Sequence, residues 1–167
     1  LDSPITSDAV VRPLTIDSWQ GRDVVRRSAG LAFLEVARAQ EPTLRLRLGG
    51  TIGAFQDVVI EGAEPSEDDI RVLARALGHA LASFVARNVL FREEWWATEE
   101  AVAQLHEQGW DDGAHALKLA REATVGLVSC GELYAIRTGP FVRSTAALGA
   151  IQVLARGTRL FLKFDAV

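Results

Sequence analysis

The stretch from Ser66 to Val85 constrains the fold more than any other part of this chain. Ser66 and Asp69 make a capping-box-like helix start, with Asp where Glu is usual. Ile70, Leu73, Ala74, Leu77, Leu81, Phe84 and Val85 then follow a 3.6-residue period over about five turns. Such a helix is stable only when its apolar stripe is covered, so the rest of the chain has to supply a partner surface.

That partner is read as β-structure. Ser18 to Gln40 is a second helical stretch, with Val24, Val25, Leu31, Phe33, Leu34, Val36 and Ala37 on a broad apolar face and Pro42 as its stop. Leu44, Leu46 and Leu48 alternate with Arg45 and Arg47, Gly49-Gly50 reads as a turn, and Ile52 to Ile60 returns as the second strand of a hairpin. A strand over Val89 to Trp96 follows the long helix. Adjacent Trp95 and Trp96 point to opposite faces of it, so at least one belongs in the core. Thr98 is read as the cap of a short helix ending at Gly109, and residues 111–121 as another helix. The tail holds strands at Thr124 to Ser129, Leu133 to Arg137, Gly149 to Ala155 and Arg159 to Phe164, with turns at Cys130-Gly131 and Arg156-Gly157. The order predicts an α+β fold, a mostly antiparallel sheet with helices packed across it. Residues 1–16, with Pro4 and Pro13, are read as an arm or linker ending in a short strand at Val10 to Ile16, and 17–167 as the domain.

Composition narrows the function classes. The 167 residues are 49% hydrophobic and 24% charged, ordinary for one globular domain that needs neither disulfide nor metal to fold. A net charge of −4 argues against coating nucleic acid or membrane by bulk electrostatics, and against tRNA as a partner. It leaves room for a local basic pocket. Only Lys118 and Lys163 are lysines, so the basic character lies in arginine, the better planar anion binder. Cys130 is the single cysteine, and no apolar run reaches the length of a membrane span. A cytoplasmic location is the expectation. A start at Leu1 rather than methionine suggests part of a longer protein.

Several chemistries lack their residues. There is no P-loop motif, no G-x-G-x-x-G and no G-x-S-x-G. His79, His106 and His115 include no i,i+4 pair, which leaves them as solvated helix histidines. Cys130 is expected to be a structural thiol. Glu93-Glu94 reads as a solvated strand end, and Glu99-Glu100 as a helix first turn favoured by the dipole.

Four stretches, taken in order, resemble one family. They are Gly21 to Pro42 (GRDVVRRSAGLAFLEVARAQEP), Ile52 to Gly62 (IGAFQDVVIEG), Leu90 to Leu119 (LFREEWWATEEAVAQLHEQGWDDGAHALKL) and Tyr134 to Val153 (YAIRTGPFVRSTAALGAIQV). This chain resembles the editing domain of threonyl-tRNA synthetase. The first stretch is closer still to the version found ahead of uridine-kinase-like P-loop domains. The resemblance implies the threonyl/alanyl-tRNA synthetase editing-domain fold. It also implies a metal site in the family: a His-x-x-x-His pair on the first helix, a cysteine, and a histidine after Gly-Pro. Carried over, these positions fall on Arg27, Leu31, Arg137 and Phe141. None is an ordinary metal ligand, so neither metal binding nor metal-assisted deacylation is expected.

If the fold is kept, Arg27 and Arg137 converge, and Arg143 shares a loop with Ser144 and Thr145. Two guanidinium groups in one cleft call for an anion between them. Arg27, Arg137, Arg143, Ser144 and Thr145 are therefore candidates for holding a small anionic ligand or nucleotide. The alternative is that the arginines pair with carboxylates such as Asp23 or Glu132. The expected role is a non-catalytic, metal-less binding or regulatory module with no cofactor of its own, at the N-terminal side of a uridine-kinase-like nucleoside kinase. ATP and Mg would belong to a P-loop domain downstream. The competing reading is a metal-independent aminoacyl-tRNA deacylase, with Ser144, Thr145 and Tyr134 as its only polar candidates. A purely structural or oligomerising domain is the third.

Overall fold

The computed structural model describes residues 14–62 and 64–164. Helix α1, Trp19–Gln40, starts where Ser18 Oγ accepts the Gly21 N–H at 3.0 Å. Strands β1 (Leu46–Ile52) and β2 (Phe55–Ile60) follow, then α2 (Glu67–Ala86) and β3 (Phe91–Ala97). Two short helices, α3 (Thr98–Glu107) and α4 (Asp111–Ala120), precede β4 (Thr124–Cys130) and β5 (Leu133–Ile136). A single 3-10 turn at Thr145–Leu148 leads into β6 (Ile151–Arg156) and β7 (Arg159–Phe164). No described helix is long and apolar enough to cross a membrane.

The fold is α+β and antiparallel throughout, but the strands form two sheets rather than one. One sheet has the order β1-β2-β7-β6, the other β3-β4-β5. α1 makes contact with strands of both, which explains why its apolar face is so broad: Ala29, Leu31, Ala32, Phe33, Val36 and Ala37 are all buried. α2 lies across β6 and β7, and its capping box forms with Ser66 Oγ accepting the Asp69 N–H and the Asp69 carboxylate accepting the Ser66 N–H. Ile70, Leu77 and Leu81 on its stripe are 1% exposed or less. Each contributes roughly 1.5–3 kcal/mol of hydrophobic stabilisation. A second, smaller core holds α3 and α4 against the other face of the three-stranded sheet, around Leu105, Leu117 and Leu127.

Three local expectations are corrected. The hairpin does not turn at Gly49-Gly50. Ile52 pairs with Phe55, so the turn is Gly53-Ala54, with Gly53 at φ +57°. Gly49 and Gly50 instead form a bulge opposite Asp57, where a β-carbon on Gly49 would lie 3.0 Å from the Asp57 carboxylate. Thr98 does not cap α3: its hydroxyl donates to the Glu122 carbonyl at 2.6 Å, tying the helix start to the chain before β4. Leu14 to Ile16 are not strand, and the remainder of the arm at residues 1–13 lies outside the described residues.

Candidate functional site

The face of the three-stranded sheet that meets α1 carries Phe91, Glu93 and Trp95 from β3, Val128 and Cys130 from β4, and Leu133 and Ala135 from β5. Alternation sends Trp96, Leu127, Tyr134 and Ile136 to the opposite face, where Trp96 and Tyr134 pack with ring centroids 5.1 Å apart. The loop after β5 runs back over α1. Ser28, fully buried, donates to the Val24 carbonyl at 2.8 Å and accepts the Val142 N–H at 3.0 Å. That hydroxyl fixes the loop containing Gly139-Pro140 to the helix.

Arg27 sits at this junction. Its guanidinium donates to the Pro140 carbonyl at 2.9 Å, pairs with Asp23 one turn back, and lies 5.9 Å from the Phe141 ring centroid. A β-carbon on Gly139 would come within 2.7 Å of an Arg27 terminal nitrogen, so the flexible end of that side chain would have to shift. Phe141 in turn packs on Phe91 at 5.8 Å between centroids. Two residues along β3, Glu93 pairs with Arg137 Nε at 2.8 Å. Arg27, Phe141, Phe91, Glu93 and Arg137 therefore make one strip over the sheet, alternating charge and aromatic surface. Leu31, one turn further along α1 from Arg27, is buried.

Each of the two arginines thus has a carboxylate partner, Asp23 for Arg27 and Glu93 for Arg137. Their side chains remain 24% and 35% exposed. Arg143 is exposed, and its carbonyl accepts the Phe91 N–H at 3.1 Å. Ser144 is half-buried and forms a bridge to Leu90. Thr145 is fully buried: its hydroxyl accepts the Val89 N–H at 3.0 Å and donates to the Val85 carbonyl at 3.2 Å. It serves the α2–β3 connection rather than a ligand. Sequence reasoning passed over Glu93 as part of this strip, and Phe91 and Trp95 with it. Their shared period-2 face was the available signal.

Other reactive groups stand apart. Cys130 is buried, and burial, with the Glu35 carboxylate beside it, pushes its thiol up to about 12. Glu35 accepts the Glu132 N–H at 3.1 Å beneath Gly131, and burial raises its carboxyl above the usual value. The three histidines are solvent-exposed. No cluster of three or more His, Cys, Asp or Glu able to hold a metal occurs among the described residues.

No family model matches the chain. It is 27% identical over 156 residues, 92% of its length, to the threonine–tRNA ligase of Acidithiobacillus ferrooxidans. Against the threonine–tRNA ligase of Gluconobacter oxydans it is 24% identical over 168 residues, 99% of the chain, and against that of Anaplasma marginale 30% identical over 111 residues, 65% of the chain. The fold is threonyl-tRNA synthetase editing-domain-like. The chain spans about a quarter or less of those relatives: 23%, 25% and 17% of their lengths respectively. The relatives named are ligases, and they lend no support to the kinase connection expected from the first helix.

Proposed function

We propose that this chain is a metal-less binding module of editing-domain fold, which holds a small anionic ligand of nucleotide class along the Arg27–Arg137 strip. The observation that carries this reading is the Arg27 guanidinium seated on Phe141 and Pro140, where the resemblance places two metal ligands. A fixed cation flanked by aromatic surface suits a planar or phosphorylated anion and repels a metal ion. Arg137, and Arg143 exposed on the neighbouring loop, supply further positive charge. Asp23 and Glu93 hold the arginines in place, and an incoming anion would compete with them.

A second reading, hydrolysis of misacylated tRNA without metal, is favoured by the ligase relatives. The polar groups suggested for it are poorly placed. Thr145 is buried, and Tyr134 lies on the far face of the sheet, which leaves Ser144. The finer context, a place ahead of a uridine-kinase-like P-loop domain, rests on the likeness of Gly21 to Pro42 alone. A Walker A motif downstream in the full-length gene product tests it.

Thermal-shift titration with inorganic phosphate and nucleoside monophosphates tests the main reading. Saturable stabilisation lost in both Arg27→Ala and Arg137→Ala is expected. An absence of any anion effect on the parent protein, together with release of amino acid from mischarged tRNA, would replace it with the second.

A further inference from the structure

The four-stranded sheet has one bare face. Its other face meets α1 and α2 and buries Val58, Leu160, Leu162 and Phe164 in the main core. Alternation puts Phe55 and Val59 of β2, Leu154 of β6 and Phe161 of β7 on the opposite side. All four are only half-buried, and none belongs to or packs against either core cluster of the described residues. Arg156 and Arg159 share that side, their guanidinium carbons 4.9 and 5.4 Å from the Phe55 and Phe161 ring centroids respectively. Arg47 and Lys163 add further positive charge. Against these stand the carboxylates of Asp57, paired with Arg159 at 2.6 Å, and Glu61, paired with Arg47 at 3.2 Å. The face is therefore net positive on a chain whose net charge is −4. At one end it opens into a cavity of about 610 Å³ between Val59, Pro65, Thr158 and Arg159.

We propose that this face docks an acidic amphipathic helix of a partner protein, with its apolar stripe on Phe55, Leu154 and Phe161 and its carboxylates on Arg156 and Arg159. A sheet face with apolar side chains is completed by a packed layer, and a helix with one apolar stripe is the simplest such layer. Phenylalanine rimmed by arginine is the composition of an interface centre. The cavity beside Arg159 has room for one large side chain of the helix. Charge complementarity selects an acidic partner and disfavours a second copy, since a two-fold pair would set like charges against each other. Stacking of RNA bases is disfavoured because a guanidinium already lies over each ring. The surface belongs to a different sheet from the Glu93–Arg137 pair and does not depend on the anion reading.

Fluorescence anisotropy of a dye-labelled helical peptide of ~18 residues, with a leucine stripe flanked by glutamates, tests the docking. Saturable binding by the 167-residue chain is expected, weakened by salt, with amide shift changes in NMR confined to β2, β6 and β7. Replacing the glutamates by lysines should abolish it. Arg156→Glu, at an exposed position, should weaken binding about tenfold, and Phe161→Ala about as much, with helix content by circular dichroism unchanged. If Phe161→Ala loses its fold, Arg156→Glu still reads the charge contact. Arg75→Glu reverses an exposed charge on α2 and should leave the affinity unaltered. No binding, equal binding of the lysine peptide, or equal loss in Arg75→Glu overturns the docking face. Tighter binding of oligouridylate than of the peptide, lost in Arg156→Glu, overturns it in favour of RNA. Dimerisation in sedimentation without peptide binding, abolished by Arg156→Glu, overturns it in favour of a second copy.

Discussion

Arg27 and Phe141 stack as a cation–π pair, with the guanidinium carbon 5.9 Å from the ring centroid, and so join α1 to the loop that follows β5. The same guanidinium donates to Pro140. A part-exposed cation–π contact and a charged hydrogen bond together contribute about 1–2 kcal/mol. Arg27→Ala should lose that much in urea unfolding. Arg27→Lys should fall between the two, since an ammonium keeps the charge but cannot stack as a plane.

Ser28 supports the same loop from below. Removing its hydroxyl leaves the half-buried Val142 N–H without its partner, at a cost of about 1–3 kcal/mol. Ser28→Ala should lower the unfolding midpoint accordingly. It should also speed hydrogen exchange at the Val142 amide more than at amides of β6.

Resemblance places four family ligands on Arg27, Leu31, Arg137 and Phe141. If those positions converge as in the editing domain, the combined substitution Arg27→His, Leu31→His, Arg137→Cys and Phe141→His should recruit one zinc per chain, read by metal analysis. Zinc prefers such a tetrahedral N/S set. A folded variant that takes up none would break the residue correspondence on which the metal-less reading depends.

Glu35 gives the molecule a pH signature. Its carboxyl value is raised in the folded state chiefly by burial, so the folded protein holds this proton more tightly than the unfolded chain does. The contribution to stability is full below the ordinary carboxyl value of 4.5 and is lost as pH rises through the raised folded value. Glu35→Gln keeps an acceptor for the Glu132 N–H and removes the titration. Its melting temperature should exceed that of the parent near neutral pH, and the difference should shrink on acidification toward 4.

Local patterns carried much of this architecture, and tertiary choices decided the rest. The Ser66–Asp69 box and the stripe from Ile70 to Phe84 are set by residues within a few turns of one another, and both were legible. Alternation put Trp95 and Trp96 on opposite faces, yet only the packing of α3 and α4 shows which of the two is covered. Gly49-Gly50 looks like a turn because two glycines permit one. The turn went to Gly53 because register across β2 and the position of Asp57 require a bulge there. Thr98 has a capping side chain, but the Glu122 carbonyl reaches it first. At the candidate site, adjacency made Thr145 look like a partner of Arg143, whereas burial commits its hydroxyl to Val85 and Val89. The two ion pairs of the strip divide similarly: Asp23–Arg27 was visible as an i,i+4 pair, while Glu93–Arg137 crosses a whole strand.

The Gly49–Gly50 bulge lies on β1, one of the two outer strands of the four-stranded sheet. A straight outer strand would present an evenly spaced row of amide donors and carbonyl acceptors on which a second polypeptide could add itself. The extra residue breaks that spacing midway and increases the local twist. This edge thereby carries its own guard against strand addition, set in two residues that have no side chain at all.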